Sequence, residues 1–263
     1  MIDSQDRAPM AKNWTYYDRM AAHLAPVARA LATRIEVKPG VVIDIGSGSG
    51  NGLRAATAAG LTEAGMTVVG LDRSSEQLAA ARPIGAPQVR GDALDLPFRP
   101  RSLAAATSNF GIIFAADHQR AFAQLADTLE PGGLLVFSAW EPDGWPEPAR
   151  TALADQLDRR LPRFPTTLGE REHAARLLTA AGFGRIVTEA GTLRWTFTDV
   201  DAAVEELSEA AGGLRMLRRQ LEQEGRWPEA RAELRTVLAP RCEGHGDGVA
   251  IVDRYLIHTA ELV

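Results

Sequence analysis

The sequence predicts an α/β protein in which helices cover both faces of a mostly parallel β-sheet. Short apolar stretches alternate with helix-forming stretches between residues 41 and 140, a rhythm typical of successive β-α-β units. The first of these stretches, VVIDIGSGSGNG at 41–52, joins a buried-strand pattern to four glycines at every second position. A strand that leads through a tight glycine turn into a helix N-terminus indicates the first β-α unit of a nucleotide-binding sheet.

The elements follow from local patterns along the chain. Residues 13–35 carry apolar residues at spacings of three and four, which predicts a helix. Ser74 with Gln77 three residues later forms a capping-box pattern at the start of another helix. We predict strands at 41–45, 66–72, 86–93, 103–110 and 134–140, with helices at about 50–64, 74–82 and 117–129 between them, the last ended by the PGG at 131–133.

The alternation stops after Trp140. We predict helices at 147–161 and 170–181, strands at 182–190 and 193–197, two charged helices within 199–239 separated near 225–228, and a closing strand within 246–263. The 263 residues are close to the upper limit for a single core. The predicted organisation is therefore an N-terminal helical cap (1–35), an α/β core (36–140), an insertion that provides lid elements for an acceptor site (141–246) and a C-terminal strand (247–263).

Composition narrows the classes of function. The net charge of −5 argues against a general nucleic-acid binder, which should be basic. Cys242 is the single cysteine, so neither an intramolecular disulfide nor a cysteine cluster for zinc is expected, and no metal site is predicted. The N-terminus lacks a signal-peptide pattern, and no apolar run reaches the 18 or so residues of a spanning helix. We expect a cytoplasmic protein without a membrane partner.

Polar residues stand where the predicted strands end. Asp44 and the glycine turn follow the first strand, Asp72 the second and Asp92 the third. In an open parallel sheet, ligands bind beyond the carboxyl ends of the strands. A carboxylate after the second strand can accept from two ribose hydroxyls, and one after the third strand from an exocyclic amine. The glycine turn is then expected to lie against the remaining, amino-acid-like part of the ligand.

These motifs resemble those of class I S-adenosylmethionine-dependent methyltransferases. VVIDIGSGSG resembles the first motif of that family, GLDRS the second, GDALDLPF the third, and SNFGIIF with LEPGGLLVFSAW the fourth and fifth. The resemblance covers about 35–140. It implies a Rossmann-like fold with a seven-stranded sheet of order 3-2-1-4-5-7-6, strand 7 being antiparallel. The segment SNFGIIFAADHQRAFAQLADTLEPGG resembles the branch related to quinone-biosynthesis methyltransferases and to many small-molecule methyltransferases of bacterial secondary metabolism.

The resemblance also implies a cofactor, S-adenosylmethionine with S-adenosylhomocysteine as its product, and residues that would hold it. Along the ligand from the methionine part to the adenine, these are Gly46, Ser47 and Gly48, then Asp72 at the ribose, Arg73 at the adenine edge, and Asp92 and Ala93 at the adenine. Asn109 would lie on the sulfonium side, and Trp14 and Tyr17 resemble the aromatics of a helix that closes over this cofactor. Asp44, Gly50 and Phe110 complete the candidate set, although Asp44 also suits a purely structural role in the turn.

The acceptor site and any general base are less well defined by the sequence. No pattern identifies a base, and the candidates are His118, His173 and Tyr16. The acceptor is expected to be a small molecule methylated on O, N or C, and a homodimer is left open. Selectivity is expected from Trp14, Tyr16 and Tyr17 and from the insertion, with Trp140, Trp145, Phe164 and Trp195 as apolar walls.

Two other functions are weighed against methyl transfer. An NAD-dependent oxidoreductase usually carries GxGxxG, but Asn51 occupies the position of the last glycine and no Tyr-x-x-x-Lys pair is present. The second alternative is a cofactor-binding homologue with a repurposed, non-methylating activity, which the sequence does not distinguish.

Overall fold

The structure, a computed structural model, describes residues 14–36 and 38–263, and it describes side chains from residue 20 onward within those ranges. The strands are β1 (Val41–Ile45), β2 (Thr67–Asp72), β3 (Gln88–Arg90), β4 (Leu103–Asn109), β5 (Leu129–Trp140), β6 (Phe183–Phe197), β7 (Cys242–His245) and β8 (Gly248–Leu262). The α-helices are α1 (Trp14–Ala32), α2 (Asn51–Ala58), α3 (Ser75–Ala81), α4 (His118–Thr128), α5 (Pro146–Asp155), α6 (Arg171–Ala180), α7 (Val200–Ala210), α8 (Gly212–Gln223) and α9 (Trp227–Leu238).

The strands form one mixed sheet of order β3-β2-β1-β4-β5-β8-β6. The pairs from β3 to β5 are parallel, whereas β8 runs antiparallel to both β5 and β6. The predicted order and the antiparallel last strand are confirmed. The short strand β7 is an addition, since it pairs with β8 as a hairpin outside that path.

The second half of the sheet differs from the prediction in one strand. Residues 183–197 form a single strand, β6, where the sequence analysis expected a break around Gly191. Gly191 is paired with Tyr255 of β8, and a Cβ on this glycine would overlap the tyrosine ring. The glycine therefore makes room for a large neighbour on the adjacent strand and does not interrupt the strand.

Several predicted boundaries are wrong. The region 199–239 holds three helices, because the chain becomes extended at Ala211, between α7 and α8. Strand β5 begins at Leu129 and carries the PGG within it, beside a shift of register against β4. Helix α2 ends at Ala58, well before residue 64, and β3 is limited to three residues. Helix α5 ends at Asp155 and not at 161, and Asp158 has a left-handed φ of 52° just beyond it.

Both faces of the central strands are buried, which is why β1 and β4 read as nearly continuous apolar runs. The helices of the insertion pack on one another: α5 lies against α8 and α9, and α7 lies against the same two helices. Helix α1 packs against α2, β4 and α7, so it joins the α/β core to the insertion. Within the described ranges, no helix is both long and apolar enough to cross a membrane.

Candidate functional site

A cavity of about 770 Å³ opens at the carboxyl edge of the parallel strands. Seven of the residues predicted to hold a cofactor line it together: Gly46, Asp72, Arg73, Asp92, Ala93, Asn109 and Phe110. They come from four strands that are far apart in sequence, and parallel pairing brings their carboxyl ends to one edge.

The glycine turn after β1 is built from left-handed residues. Gly46, Gly48 and Gly50 have φ angles of 63°, 54° and 93°, which glycine adopts without steric cost. The Gly48 amide donates to Asp72 Oδ2 at 2.9 Å, and the Ser74 amide donates to Asp72 Oδ1 at 2.8 Å. Asp72 thus ties the turn to the start of α3, and each of its oxygens keeps a further lone pair for a ligand.

The loops after β1 and β4 touch through bare backbone. A Cβ on Gly46 would lie 2.8 Å from Cα of Gly111, and one on Gly111 would overlap the Ile45 carbonyl. Next to this contact, Phe110 has a left-handed φ of 57° and stacks on Trp140, with ring centroids 3.8 Å apart. The close approach and the strained residue together bring the Phe110–Trp140 pair to the wall of the cavity.

Asp44 lies behind the turn and does not line the cavity. Its Oδ1 accepts from Thr107 Oγ1 at 3.2 Å, and a Cβ on Gly52 would overlap its carboxylate. Burial, with the nearby Asp72 charge in addition, raises the pKa of Asp44 to about 7. This position favours the structural interpretation of Asp44, and it explains why the fourth alternating residue, Gly52, is a glycine.

Three other predicted residues are also absent from the cavity wall. The buried Ser47 side chain turns toward Gly70 of β2, where a Cβ would lie 3.0 Å from Ser47 Oγ. Gly50 faces Ile84, whose side chain a Cβ there would overlap. At Gly48 the nearest atom to a Cβ is 3.7 Å away, so its left-handed φ, and not lack of space, requires glycine. Their roles toward a cofactor stay predictions.

Asp92 and Arg73, which the resemblance implies for the adenine side, lie next to each other on the wall of the cavity. The Leu94 amide donates to Asp92 Oδ1 at 3.0 Å, and Arg73 Nη1 lies 3.7 Å from Asp92 Oδ2. Both side chains are well exposed, so this ion pair contributes little to stability. Asp92 therefore keeps accepting capacity toward the cavity.

Helix α1 closes one side of the cavity with Met20 and Leu24. Two amide side chains fix it there: Asn51 Nδ2 donates to the Ala21 carbonyl at 2.8 Å, and Asn109 Nδ2 donates to the Leu24 carbonyl at 3.4 Å. Asn51, which departs from the dinucleotide-binding pattern, thus has a structural function. The side chains of Trp14, Tyr16 and Tyr17, three candidates from the sequence, lie outside the described residues.

The insertion supplies the other end of the cavity. All four aromatic residues predicted as apolar walls, namely Trp140, Trp145, Phe164 and Trp195, line it. Sequence reasoning missed Arg150, Arg163 and the segment 210–214, which line it as well. Little in the sequence indicated that the segment 210–214 lines a cavity, because Gly212 and Gly213 stand in a region whose pattern predicts continuous helix.

Neither histidine candidate reaches the cavity wall. His118 begins α4, and its Nε2 lies 3.0 Å from the Ile113 carbonyl. His173 lies on α6, which packs against α4 and β6. Among the described residues that line the cavity, the ionisable ones are Asp72, Asp92 and three arginines. The described part of the chain also lacks a group of three His, Cys, Asp or Glu side chains suited to a metal ion.

The strand order, the glycine turn and the carboxylates at successive strand ends define a class I methyltransferase fold. Residues 43–137 match the family model described as a methyltransferase domain. This match covers the α/β core and agrees with the predicted resemblance to S-adenosylmethionine-dependent methyltransferases.

Known proteins similar to the chain agree with this classification. The chain is 36% identical over 109 residues to demethylmenaquinone methyltransferase of Corynebacterium kroppenstedtii, covering 41% of this chain and 45% of that protein. It is 32% identical over 149 residues to demethylmenaquinone methyltransferase of Mycobacterium bovis, covering 56% and 60%. The chain thus spans about half the length of the curated relatives it matches.

A solved structure extends the likeness of the fold to nearly the whole chain. The crystal structure of a putative methyltransferase from Bacillus halodurans has a TM-score of 0.59 with 15% identity, covering 92% of this chain and 97% of that one. The helices of the insertion therefore belong to an architecture that this solved structure shares.

Proposed function

We propose that the protein binds S-adenosylmethionine in this cavity and transfers its methyl group to a small-molecule acceptor. One observation carries the proposal: a single cavity is lined at one end by the carboxylates of the strand ends and at the other by the aromatic side chains of the insertion. A cofactor and an acceptor would then meet where the two ends join, near Asn109 and Phe110.

The residues at the strand ends fit the cofactor. Asp72 and Asp92 retain lone pairs that can accept from ribose hydroxyls and an exocyclic amine. The wall between them and Asn109 is backbone, because Gly46 and Gly111 carry no side chain. A carboxylate pair beside bare backbone suits a nucleoside joined to an amino-acid-like chain better than it suits a second anion.

When bound, S-adenosylmethionine supplies an activated methyl group. The contribution of the protein itself is to hold the two reactants in line and to exclude water. The stacked Phe110 and Trp140, with Trp145 and Trp195, provide a low-dielectric wall for an apolar acceptor. These rings favour an acceptor that is itself planar and electron-rich.

We infer that the acceptor ionises on its own or carries an electron-rich atom. Neither His118 nor His173 lines the cavity, and the ionisable lining residues among those described are two cofactor-side carboxylates and arginines. A phenol or an enol meets this requirement, because either can supply a nucleophilic O or C near neutral pH. The relatives named for demethylmenaquinone support a quinol-like acceptor, and a role in bacterial secondary metabolism stays part of the proposal. Tyr16, whose side chain lies outside the described residues, stays the candidate base for an acceptor that needs one.

A binding and turnover experiment separates the alternatives. The purified protein is titrated with S-adenosylmethionine by calorimetry and then incubated with the methyl-labelled cofactor and a panel of aromatic hydroxy compounds and quinols. We expect one-to-one binding and formation of S-adenosylhomocysteine with at least one acceptor. Binding without transfer to any acceptor would favour the repurposed homologue, whereas binding of NADH in place of S-adenosylmethionine would favour the oxidoreductase.

A further inference from the structure

We propose that the acceptor carries an anionic group, which Arg150 and Arg163 bind at the insertion end of the cavity. The inference rests on the proposed function and specifies the class of acceptor. Both arginines line the same cavity as Trp145, Phe164 and Trp195.

Arg150 is held in one orientation by its neighbours. Its Nη1 donates to Glu147 Oε2 at 3.2 Å, its Nη2 donates to the Pro162 carbonyl at 3.1 Å, and its guanidinium lies 5.7 Å from the centre of the Phe164 ring. Glu147 Oε2 also accepts from the Phe164 amide at 2.7 Å, so this carboxylate is shared between two donors. The Arg150 Nε–H donates to no described residue, and the side chain is only 17% exposed.

Arg163 stands on the segment 159–165 that follows α5, and it makes no hydrogen bond or ion pair with the described residues. The Pro162 carbonyl that binds Arg150 is adjacent to it in the chain. Two arginines, Arg150 paired with Glu147 and the exposed Arg163 without a polar partner among the described residues, thus line the cavity together with apolar and aromatic residues of the insertion. Guanidinium groups match carboxylate and phosphate oxygens in geometry and bind them more strongly than neutral acceptors.

The carboxylates of the cavity come from other elements than the two arginines. Asp72 and Asp92 follow β2 and β3, whereas Arg150 and Arg163 come from the insertion beyond β5. Three strand spacings separate β2 from β5 in the sheet order, which is roughly 14 Å. On the side of the strand ends, Asp72 and Asp92 outnumber Arg73, whereas Arg163 adds a positive charge beside the Arg150–Glu147 ion pair on the insertion side. This arrangement favours an apolar, ring-bearing acceptor with an anion close to Arg163.

The proposal is tested by binding of matched probes to the protein saturated with S-adenosylhomocysteine. The probes are 2-naphthoate, 2-naphthyl phosphate and the neutral 2-naphthamide, measured by calorimetry at fixed ionic strength. We expect at least one of the two anions to bind about tenfold or more tightly than the amide. Arg163→Gln and Arg150→Gln should each reduce this preference severalfold, whereas Arg160→Gln, an exposed neighbour outside the cavity wall, should leave it unchanged.

Arg150→Lys keeps the positive charge but lacks the planar guanidinium. This variant should therefore retain part of the preference for the anionic probes over the amide. Equal binding of all three probes, tighter binding of the amide, or no binding of any probe would overturn the proposal. A preference that Arg160→Gln removes as fully as Arg163→Gln would also overturn it, since the effect would then be one of surface charge. The affinity for S-adenosylhomocysteine, measured in the same samples, reports separately on the proposed function.

Discussion

Asp253 on β8 is a buried carboxylate that supports the aromatic wall of the cavity. Its Oδ2 accepts from the Trp195 indole at 2.9 Å, and its Oδ1 accepts from the Trp145 amide at 3.4 Å, at the start of α5. Burial raises the pKa of Asp253 to about 6, although the Trp195 hydrogen bond opposes the shift. A side chain of β8, beside the carboxyl end of β5, thus holds the Trp195 ring and the backbone of Trp145, two residues that the acceptor is expected to contact.

The raised pKa of Asp253 predicts a pH dependence of stability. Because the folded state holds this proton more tightly than the unfolded state, the stabilising contribution is complete below about pH 4 and is lost as pH rises through about 6. A rise in the pKa of this carboxyl from 3.8 to about 6 corresponds to about 3 kcal/mol of stability. We expect the free energy of unfolding of the wild type, relative to Asp253→Asn, to fall by up to that amount between pH 4 and 7. Denaturant titrations at several pH values measure it, and a constant difference would contradict the assignment.

The close packing around Gly52 leads to a second prediction, which concerns the stability of the fold. A Cβ here would overlap the Asp44 carboxylate, which is buried and held by Thr107. We expect Gly52→Ala to destabilise the fold by about 1–3 kcal/mol, the usual cost of overpacking. Gly212→Ala is the matched control, because a Cβ at Gly212 meets nothing within 4 Å. Thermal denaturation that shifts equally for both variants would show that the Asp44 contact is unimportant.

The sequence predicted the site residues whose function depends on their place at the end of a strand. Asp72, Asp92 and Asn109 line the cavity because strand ends converge by topology alone. The sequence did not predict that Asp44, Ser47 and Gly50 lie away from the cavity wall. The alternating glycine pattern of the turn does not determine which of its residues point toward the cavity. Sequence reasoning also missed Arg150 and Asp253, whose partners are distant in sequence and are brought close only by packing of the insertion.

At the scale of elements, helix α1 is attached to the core by two side-chain amides. Asn51 on α2 binds the Ala21 carbonyl, and Asn109 at the end of β4 binds the Leu24 carbonyl. Since Met20 and Leu24 of this helix line the cavity, the attachment connects the position of α1 with ligand binding.

Removing the first of these bonds should loosen α1 without unfolding the sheet. We expect Asn51→Ala to raise the rate of amide hydrogen exchange in residues 20–32 and to weaken binding of S-adenosylmethionine severalfold, because a net hydrogen bond of about 1 kcal/mol is lost. Thr57→Ala, on the exposed face of the same helix α2, is the control. Unchanged exchange in α1 would mean that its packing on α2 alone determines its position.

The elements that the sequence predicted well are those with strong local patterns. The buried strands of the core and the helices between them were predicted within a few residues at most boundaries. The break between α7 and α8 was missed because Ala211 and the two glycines after it interrupt an amphipathic pattern that is otherwise continuous. The end of α5 was missed because the turn at Asp158 depends on a left-handed residue that is not glycine.

At the scale of the whole molecule, the cavity is shared between the α/β core and the insertion. Residues 162–165 and 210–214 of the insertion line it opposite the strand ends. We propose that the insertion, 141–246 in the sequence-based division, covers the acceptor and becomes less mobile when ligands bind. Hydrogen exchange with and without S-adenosylhomocysteine and 2-naphthoate should show added protection at 159–165 and 210–214. Protection confined to another surface would place the acceptor site elsewhere.

The central claim is that the carboxylates at the strand ends hold S-adenosylmethionine, and calorimetry of Asp72→Ala tests it most directly. Loss of a charged hydrogen-bond partner should weaken binding of the cofactor by about 1–3 kcal/mol. Asp95→Ala, an exposed carboxylate close to Asp92 but outside the cavity wall, should bind like the wild type. Equal affinity of Asp72→Ala and the wild type, with the fold intact by circular dichroism, would contradict the account.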